Sequence, residues 1–217
     1  MNYQTILFDL DGTLTDPKEG ITKCVAYALN HFGIQVDDLD ELEKFIGPPL
    51  SDSFSEYYGL NAEQTEKAIE EYRVRFDEKG WAENVPYPGA AELLRELRAA
   101  GKTLAIATSK PERAAVRILN HFGMAEYFTL ICGATLDNPA GSRKANVIRD
   151  ALSRMGIRDL TDVLMVGDRH HDVDGAHEVG LSAVGVLYGY GDRAEHEAAG
   201  AEYIAETLQQ LRALLLD

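Results

Sequence analysis

Cysteine is scarce in this 217-residue chain: only Cys24 and Cys132 occur, and they form no metal-ligand pattern. A disulfide framework is therefore not expected, and a reduced, cytoplasmic setting fits best. Long apolar runs are missing as well. No stretch approaches the roughly 18 uninterrupted apolar residues of a membrane span. No basic segment followed by an apolar one stands at the N-terminus, so no secretory signal is expected. Positive charge is the third shortage, with 21 Lys and Arg against 36 Asp and Glu, a net charge of −15. That balance argues against binding a nucleic-acid polymer, which depends on neutralising phosphates. A small phosphate-bearing ligand stays compatible only where a metal, a lysine and helix N-termini make the site locally positive.

What is present is ordinary globular material, 45 % apolar and 26 % charged, in a chain long enough to bury a sizeable core. The chain is organised around Ile6-Leu7-Phe8-Asp9-Leu10-Asp11-Gly12-Thr13. An apolar strand runs into two carboxylates two positions apart, which alternation would place on one side. Gly12 then permits a sharp turn. Two carboxylates that close repel unless a cation lies between them or one keeps its proton. Either outcome suits phosphoryl transfer, one carboxylate attacking phosphorus and the other carrying a proton. The plainer alternative is a strand followed by an Asp-Gly turn.

Beyond Asp16-Pro17 the apolar spacing predicts helices over about 19–32, 38–45, 51–58 and, capped by Asn61, 62–79, with no confident strand before about residue 85. From Pro86-Tyr87-Pro88-Gly89 onward the pattern alternates. Strands are expected at Thr103–Ala107, Thr129–Cys132, Val163–Val166, Ser182–Val186 and near Tyr203-Ile204. Helices are expected at Ala90–Ala100, from Pro111 to Gly123, over Arg143–Met155, to Val179 and from about Thr207. Strand–helix alternation implies a parallel sheet covered on both faces, with the 6–10 strand in it. Residues 1–16 and 86–217 then form an α/β core, and 17–85 an all-helical insertion. The sequence Leu-Asn-His-Phe-Gly occurs at 29–33 and again at 119–123, read as one helix-ending device used twice.

Parallel sheets bind ligands at the C-terminal ends of their strands. Here those ends carry Asp9 and Asp11, Thr108 and Ser109, and Asp168. Asp172 lies four residues past Asp168 and would share its side if the turn there were helical. Oxygen-only ligands select a hard cation, Mg²⁺ being the one that shares its shell with phosphate and water. Lys144 begins a helix, a poor place for a cation unless an anion is near. Lys110 and Arg143 are its rivals. His170 and His171 are expected to be exposed side chains.

Asp-Leu-Asp-Gly-Thr, the strand ending in Thr108-Ser109, Lys144, and Gly167-Asp168-Arg169-His170-His171-Asp172 resemble the four motifs of the haloacid dehalogenase superfamily. The likeness spans nearly the whole chain and implies a Rossmann-like core with an inserted α-helical cap. Gly47-Pro48-Pro49-Leu50 and Leu187-Tyr188-Gly189-Tyr190-Gly191 resemble the phosphoglycolate phosphatase-like and bacterial 5′-nucleotidase-like branch. The resemblance implies Asp9 as a nucleophile that forms an aspartyl-phosphate and Asp11 as acid, then base. It implies Thr108 and Lys144 as phosphate-holding groups, with Ser109 and Gly12 beside them. Mg²⁺ would be held by Asp9, Asp168 and the Asp11 backbone carbonyl, supported by Asp172. The expected activity is a Mg²⁺-dependent phosphatase acting on small soluble phosphomonoesters, working as a monomer or homodimer. Lys18, Lys23, Lys44 and Arg73 are candidates for reading the far end of the ester. Alternatives are a phosphomutase of the β-phosphoglucomutase kind and a phosphate-binding module without turnover.

Overall fold

The computed structural model describes residues 3–134 and 143–216. The chain divides into two compact units, one of residues 1–15 and 86–217, the other of residues 16–85.

The larger unit is built on a six-stranded, all-parallel sheet. In chain order its strands are β1 (Thr5–Phe8), β4 (Thr103–Pro111), β5 (Leu130–Ala134), β6 (Val163–Gly167), β7 (Ser182–Val186) and β8 (Tyr203–Ala205), arranged β5-β4-β1-β6-β7-β8. Two further short strands, β2 (Thr15–Asp16) and β3 (Val85–Pro86), pair with each other. In the large sheet the order grows outward from β1 first one way and then the other, so the switch point lies at β1. Phe8 is in register with Ile106 on one side and Val166 on the other. The C-terminal ends of three strands therefore meet at one place.

Every residue of β1 is buried, as a strand covered on both faces requires. Alternate residues serve one face: Leu7, Ala105, Ala107, Cys132, Met165 and Ala183 form a single core with Val147, Ile148, Ala151 and Leu152 of α6 (Lys144–Met155) and Val173 and Ala176 of α7 (His170–Val179). The two helices that carry the site's cation and one of its acids are thus anchored directly to the sheet.

The smaller unit holds α1 (Lys18–Asn30), α2 (Leu50–Tyr58), α3 (Ala62–Glu78) and a 3-10 helix at Leu39–Phe45. Asn61 caps α3 as expected, and does so reciprocally: its side chain accepts from Gln64 N–H while the Gln64 side chain accepts from Asn61 N–H, both at 3.0 Å. Phe45 meets Phe54 and Tyr57 edge to face.

The repeated Leu-Asn-His-Phe-Gly proves to be the same stop twice. Gly33 (φ 73) and Gly123 (φ 65) follow α1 and α5 (Glu112–His121), and in each copy the N–H after the glycine returns to the leucine carbonyl, Ile34 to Leu29 and Met124 to Leu119. Elements expected at 90–100 and from 207 appear as α4 (Ala90–Ala99) and α9 (Leu208–Leu216). A helix absent from the sequence reading, α8 (Arg193–Ala199), lies between β7 and β8. Among the described residues no helix is long and apolar enough to cross a membrane.

Candidate active site

The first strand stops at Phe8, two residues earlier than expected, because the chain turns there. Asp9 N–H still donates to Val166 O (2.9 Å), which fixes Asp9 beside β6. Leu10 O then accepts from Leu14 N–H (2.9 Å), and Gly12 takes φ 82. A Cβ on Gly12 would lie 2.0 Å from Asp168 Oδ2, so only glycine lets the turn approach that carboxylate.

Asp9, Asp168 and Asp172 come together. Each offers an oxygen within 4.8 Å of the others, the one such group of possible metal ligands among the described residues. Asp168 and Asp172 are each 1 % exposed. The helical-turn reason expected for their pairing does not hold, since α7 starts only at His170 and Asp168 precedes it. Instead Asp172 folds back, its Oδ2 accepting from Arg169 N–H (3.1 Å), while Asp168 Oδ2 accepts from Tyr190 N–H (2.9 Å).

Lys144 resolves its awkward position at a helix N-terminus. Its ammonium lies 2.9 Å from Asp9 Oδ1 and 2.7 Å from Asp172 Oδ1, and donates to Ala107 O (3.0 Å). Burial pulls this ammonium's pKa down, but Asp172 and Asp9 outweigh burial and hold it above its ordinary value. Of the three lysine and arginine candidates, Lys144 is the one between the acids. Arg143 faces Glu178 instead, at 3.5 Å.

Asp11 departs from the expected carboxylate cluster. Strand alternation does not extend to it, and its carboxylate pairs with Lys110 (2.5 Å), a lysine that is itself buried. Lys110 N–H also donates to Thr108 Oγ1 (3.2 Å). Both follow from β4, which runs on through Thr108 and Ser109 to Pro111 with an irregular register after Thr108. Thr108 is buried and Ser109 half-buried at that strand end. His170 and His171 are half-buried rather than exposed. Their rings lie 3.8 Å apart, His170 Nδ1 is 2.9 Å from Asp174 Oδ2, and burial first, then His170, lowers the His171 pKa.

The electrostatics call for a cation. Four carboxylates, of Asp9, Asp11, Asp168 and Asp172, face two ammonium groups, of Lys144 and Lys110. Burial, then Asp172 and Asp9, raise the Asp168 carboxyl well above the usual range. Burial, opposed by Lys144 and reinforced by Asp9, pushes Asp172 up to about 6. Asp9 Oδ1 and Asp172 Oδ1 are buried and accept no aligned hydrogen bond, despite the nearby ammonium. Three carboxylates drawn together around one shared ammonium, in an oxygen-only cluster, fit a hard divalent ion.

Several site contacts were not anticipated from sequence: the Asp11–Lys110 pair, the Tyr190 N–H, and Glu195 of α8, whose Oε1 accepts from His170 N–H (2.7 Å) and Arg169 Nε (2.9 Å). A signal for the last was present in Asp192-Arg-Ala-Glu195 followed by Gly200, a helix start and stop.

The candidate basic residues of the smaller unit are engaged there. Lys18 pairs with Asp40 and Glu43, Lys23 with Glu19 and Glu83, and Lys44 lies over the Tyr57 and Tyr58 rings, while Arg73 is exposed.

A family model described as haloacid dehalogenase-like hydrolase matches residues 6–186. The chain is 42 % identical over 215 residues to a 5′-nucleotidase of Pseudomonas aeruginosa, covering 99 % of this chain and 96 % of that protein. It is likewise 42 % identical over 215 residues to the tyrosine-protein kinase PtkA of Mycobacterium tuberculosis, covering 98 % of this chain and 72 % of that one. Among solved structures, a predicted phosphatase from Clostridium acetobutylicum superposes with a TM-score of 0.95 at 47 % identity, covering 100 % of this chain and 99 % of that one. With its strand order, its acidic cluster and its lysine in place, the chain belongs to the haloacid dehalogenase-like hydrolases.

Proposed function

We propose that this protein is a Mg²⁺-dependent phosphatase of small phosphomonoesters, with nucleoside 5′-monophosphates as the first substrate class to try. The observation that carries the chemistry is Lys144 standing between Asp9 and Asp172, with Asp168 completing the acidic cluster. The similarity to a 5′-nucleotidase along nearly the whole chain supports the substrate class.

Asp9 and Asp168, with the Asp11 backbone carbonyl and Asp172 in support, would hold Mg²⁺. Bound there, the ion would supply positive charge for the phosphate oxygens and for the attacking carboxylate. An Asp9 oxygen attacks phosphorus, the bond from phosphorus to the leaving oxygen breaks, and Asp11 gives that oxygen its proton. In the second half, water attacks phosphorus, Asp11 takes the proton, and the bond to Asp9 breaks to free inorganic phosphate. Lys144 keeps Asp9 oriented and offsets the charge that gathers on phosphate. Thr108 and Ser109 would contribute hydrogen bonds at the same sheet edge, while Gly12, whose N–H donates to Thr15 O (2.7 Å), shapes the turn beside them. The helical unit of residues 17–85 is assigned the role of a cap that selects the ester and excludes bulk water.

A second reading has one observation in its favour, the equally identical relative named a tyrosine-protein kinase. In that reading the phosphoryl group on Asp9 passes to a hydroxyl acceptor instead of water. Phosphate release from a series of esters, with Mg²⁺ or chelator, tests the first reading. Release that needs both Mg²⁺ and Asp9 supports it. Consumption of ester with phosphate recovered on an added hydroxyl compound would favour the second.

A further inference from the structure

We infer that the segment Tyr188–Glu195 braces the link between β6 and α7 from outside, and that Glu195 is a positioning residue for the cation that Asp168 would hold with Asp172 in support. The inference rests on the metal reading above and goes beyond it to residues that touch neither the ion nor the ester.

Asp168 lies in the short link between β6 and α7, and Asp172 in the first turn of α7. Asp168 precedes the helix, so its carboxylate relies on Tyr190 N–H. The tyrosine's glycine neighbours are shaped to that contact. A Cβ on Gly189 would lie 2.4 Å from Asp168 Cβ, and one on Gly191 would lie 2.0 Å from Asp168 O. The backbone of this segment therefore lies directly against Asp168 on two sides. Tyr188 ties the same segment to the opening turn, its hydroxyl donating to Thr13 O (3.0 Å).

Glu195 secures the other half of the link. The first two backbone N–H groups at the start of α7 are shared between two carboxylates: Arg169 N–H goes to Asp172 Oδ2 (3.1 Å) and His170 N–H to Glu195 Oε1 (2.7 Å). The same Glu195 oxygen accepts from Arg169 Nε (2.9 Å). Glu195 is itself held, since its own N–H donates to the Asp192 side chain (2.8 Å) at the start of α8. Removing the Glu195 carboxylate takes one partner from each of two consecutive residues between Asp168 and Asp172. Asp168 keeps Tyr190 N–H and Asp172 keeps Lys144 and Arg169 N–H, but the backbone that sets the spacing of the two acids loses an anchor. Partners behind metal ligands typically change affinity about 10–100-fold when removed.

The experiment is calorimetric titration of Mg²⁺ into chelator-treated protein, with far-UV circular dichroism as the check on folding. Glu195→Ala is expected to weaken Mg²⁺ about 10–100-fold with the helical spectrum kept. Glu195→Gln retains an acceptor for His170 N–H but loses the charge against Arg169, and is expected to fall between wild type and alanine. Should the alanine variant lose helix, the glutamine variant carries the test on its own. Glu197→Ala, on the exposed side of the same helix, should bind as wild type does. Wild-type Mg²⁺ affinity in both Glu195 variants would overturn the inference. The metal reading has its own control: Asp168→Asn should abolish binding, and unchanged binding there would remove that reading and this inference together.

Discussion

At Lys144 the backbone and the side chains make opposite demands: the start of α6 disfavours a cation, and Asp9 and Asp172 require one. Removing it by Lys144→Met should leave buried carboxylates without their cation and cost about 3–5 kcal/mol in urea unfolding at mildly alkaline pH. The loss should shrink in mild acid, where the acids take protons. The metal-free protein has a related signature. The Asp172 carboxyl is pushed from 3.8 to about 6, and Asp168 is raised too, so the folded state holds protons that the unfolded chain has released. Stability from these two groups is therefore present in acid and is lost as pH rises through about 4 to 6 and above. In chelator, the stability of wild type relative to Asp172→Asn should fall over that window by roughly 1–3 kcal/mol, and saturating Mg²⁺ should cancel the fall. A difference that grows with pH in chelator would show that the cluster does not bind protons as described. These acids and Lys144 were legible in the sequence because each stands at an element boundary, where small polar groups meet the sheet edge. The Asp11–Lys110 pair was not, because it depends on how β4 continues past Thr108, and periodicity does not report an irregular register.

Elements were easiest to read where local chemistry sets them. Asn61 and Gln64 close α3 by a reciprocal cap, and Asn61→Ala should cost about 1 kcal/mol by denaturant midpoint, with no change in Mg²⁺ affinity, since the cap serves the helix and not the acids. The two Leu-Asn-His-Phe-Gly stops were equally plain, because an αL glycine after a helix leaves a fixed pattern. The strand at Ser182–Val186 was placed to the residue, its buried run being bounded on both sides. Missed was α8, seven residues with a single buried side chain, His196, and so with no apolar stripe to announce it. That short element nevertheless supplies Glu195, which shows why the outer shell of a site is harder to read than its centre. The centre depends on residue types at strand ends, the outer shell on tertiary contacts between segments far apart in sequence.

For the whole molecule, the dominant quantity is a net charge of −15. On the proposed reading, a small anionic ester approaches against that field and is attracted only close to the ammonium groups and the cation that the acids would hold. With Mg²⁺ saturating, kcat/KM for such an ester should therefore rise modestly as salt screens the repulsion. A fall would mean that a positive surface steers the substrate. The parallel sheet with its switch point at β1 explains why residues more than 150 positions apart, Asp9 and Asp168, share one site. The central claim is that phosphate passes through Asp9, and the most direct measurement is acid quenching of the protein during turnover of a nucleoside 5′-monophosphate labelled in its phosphate. The account predicts label bound to the wild-type chain, released by hydroxylamine as an acyl phosphate should be, and absent from a folded Asp9→Asn variant. Steady hydrolysis with no label on the protein, or label that persists in Asp9→Asn, would contradict it.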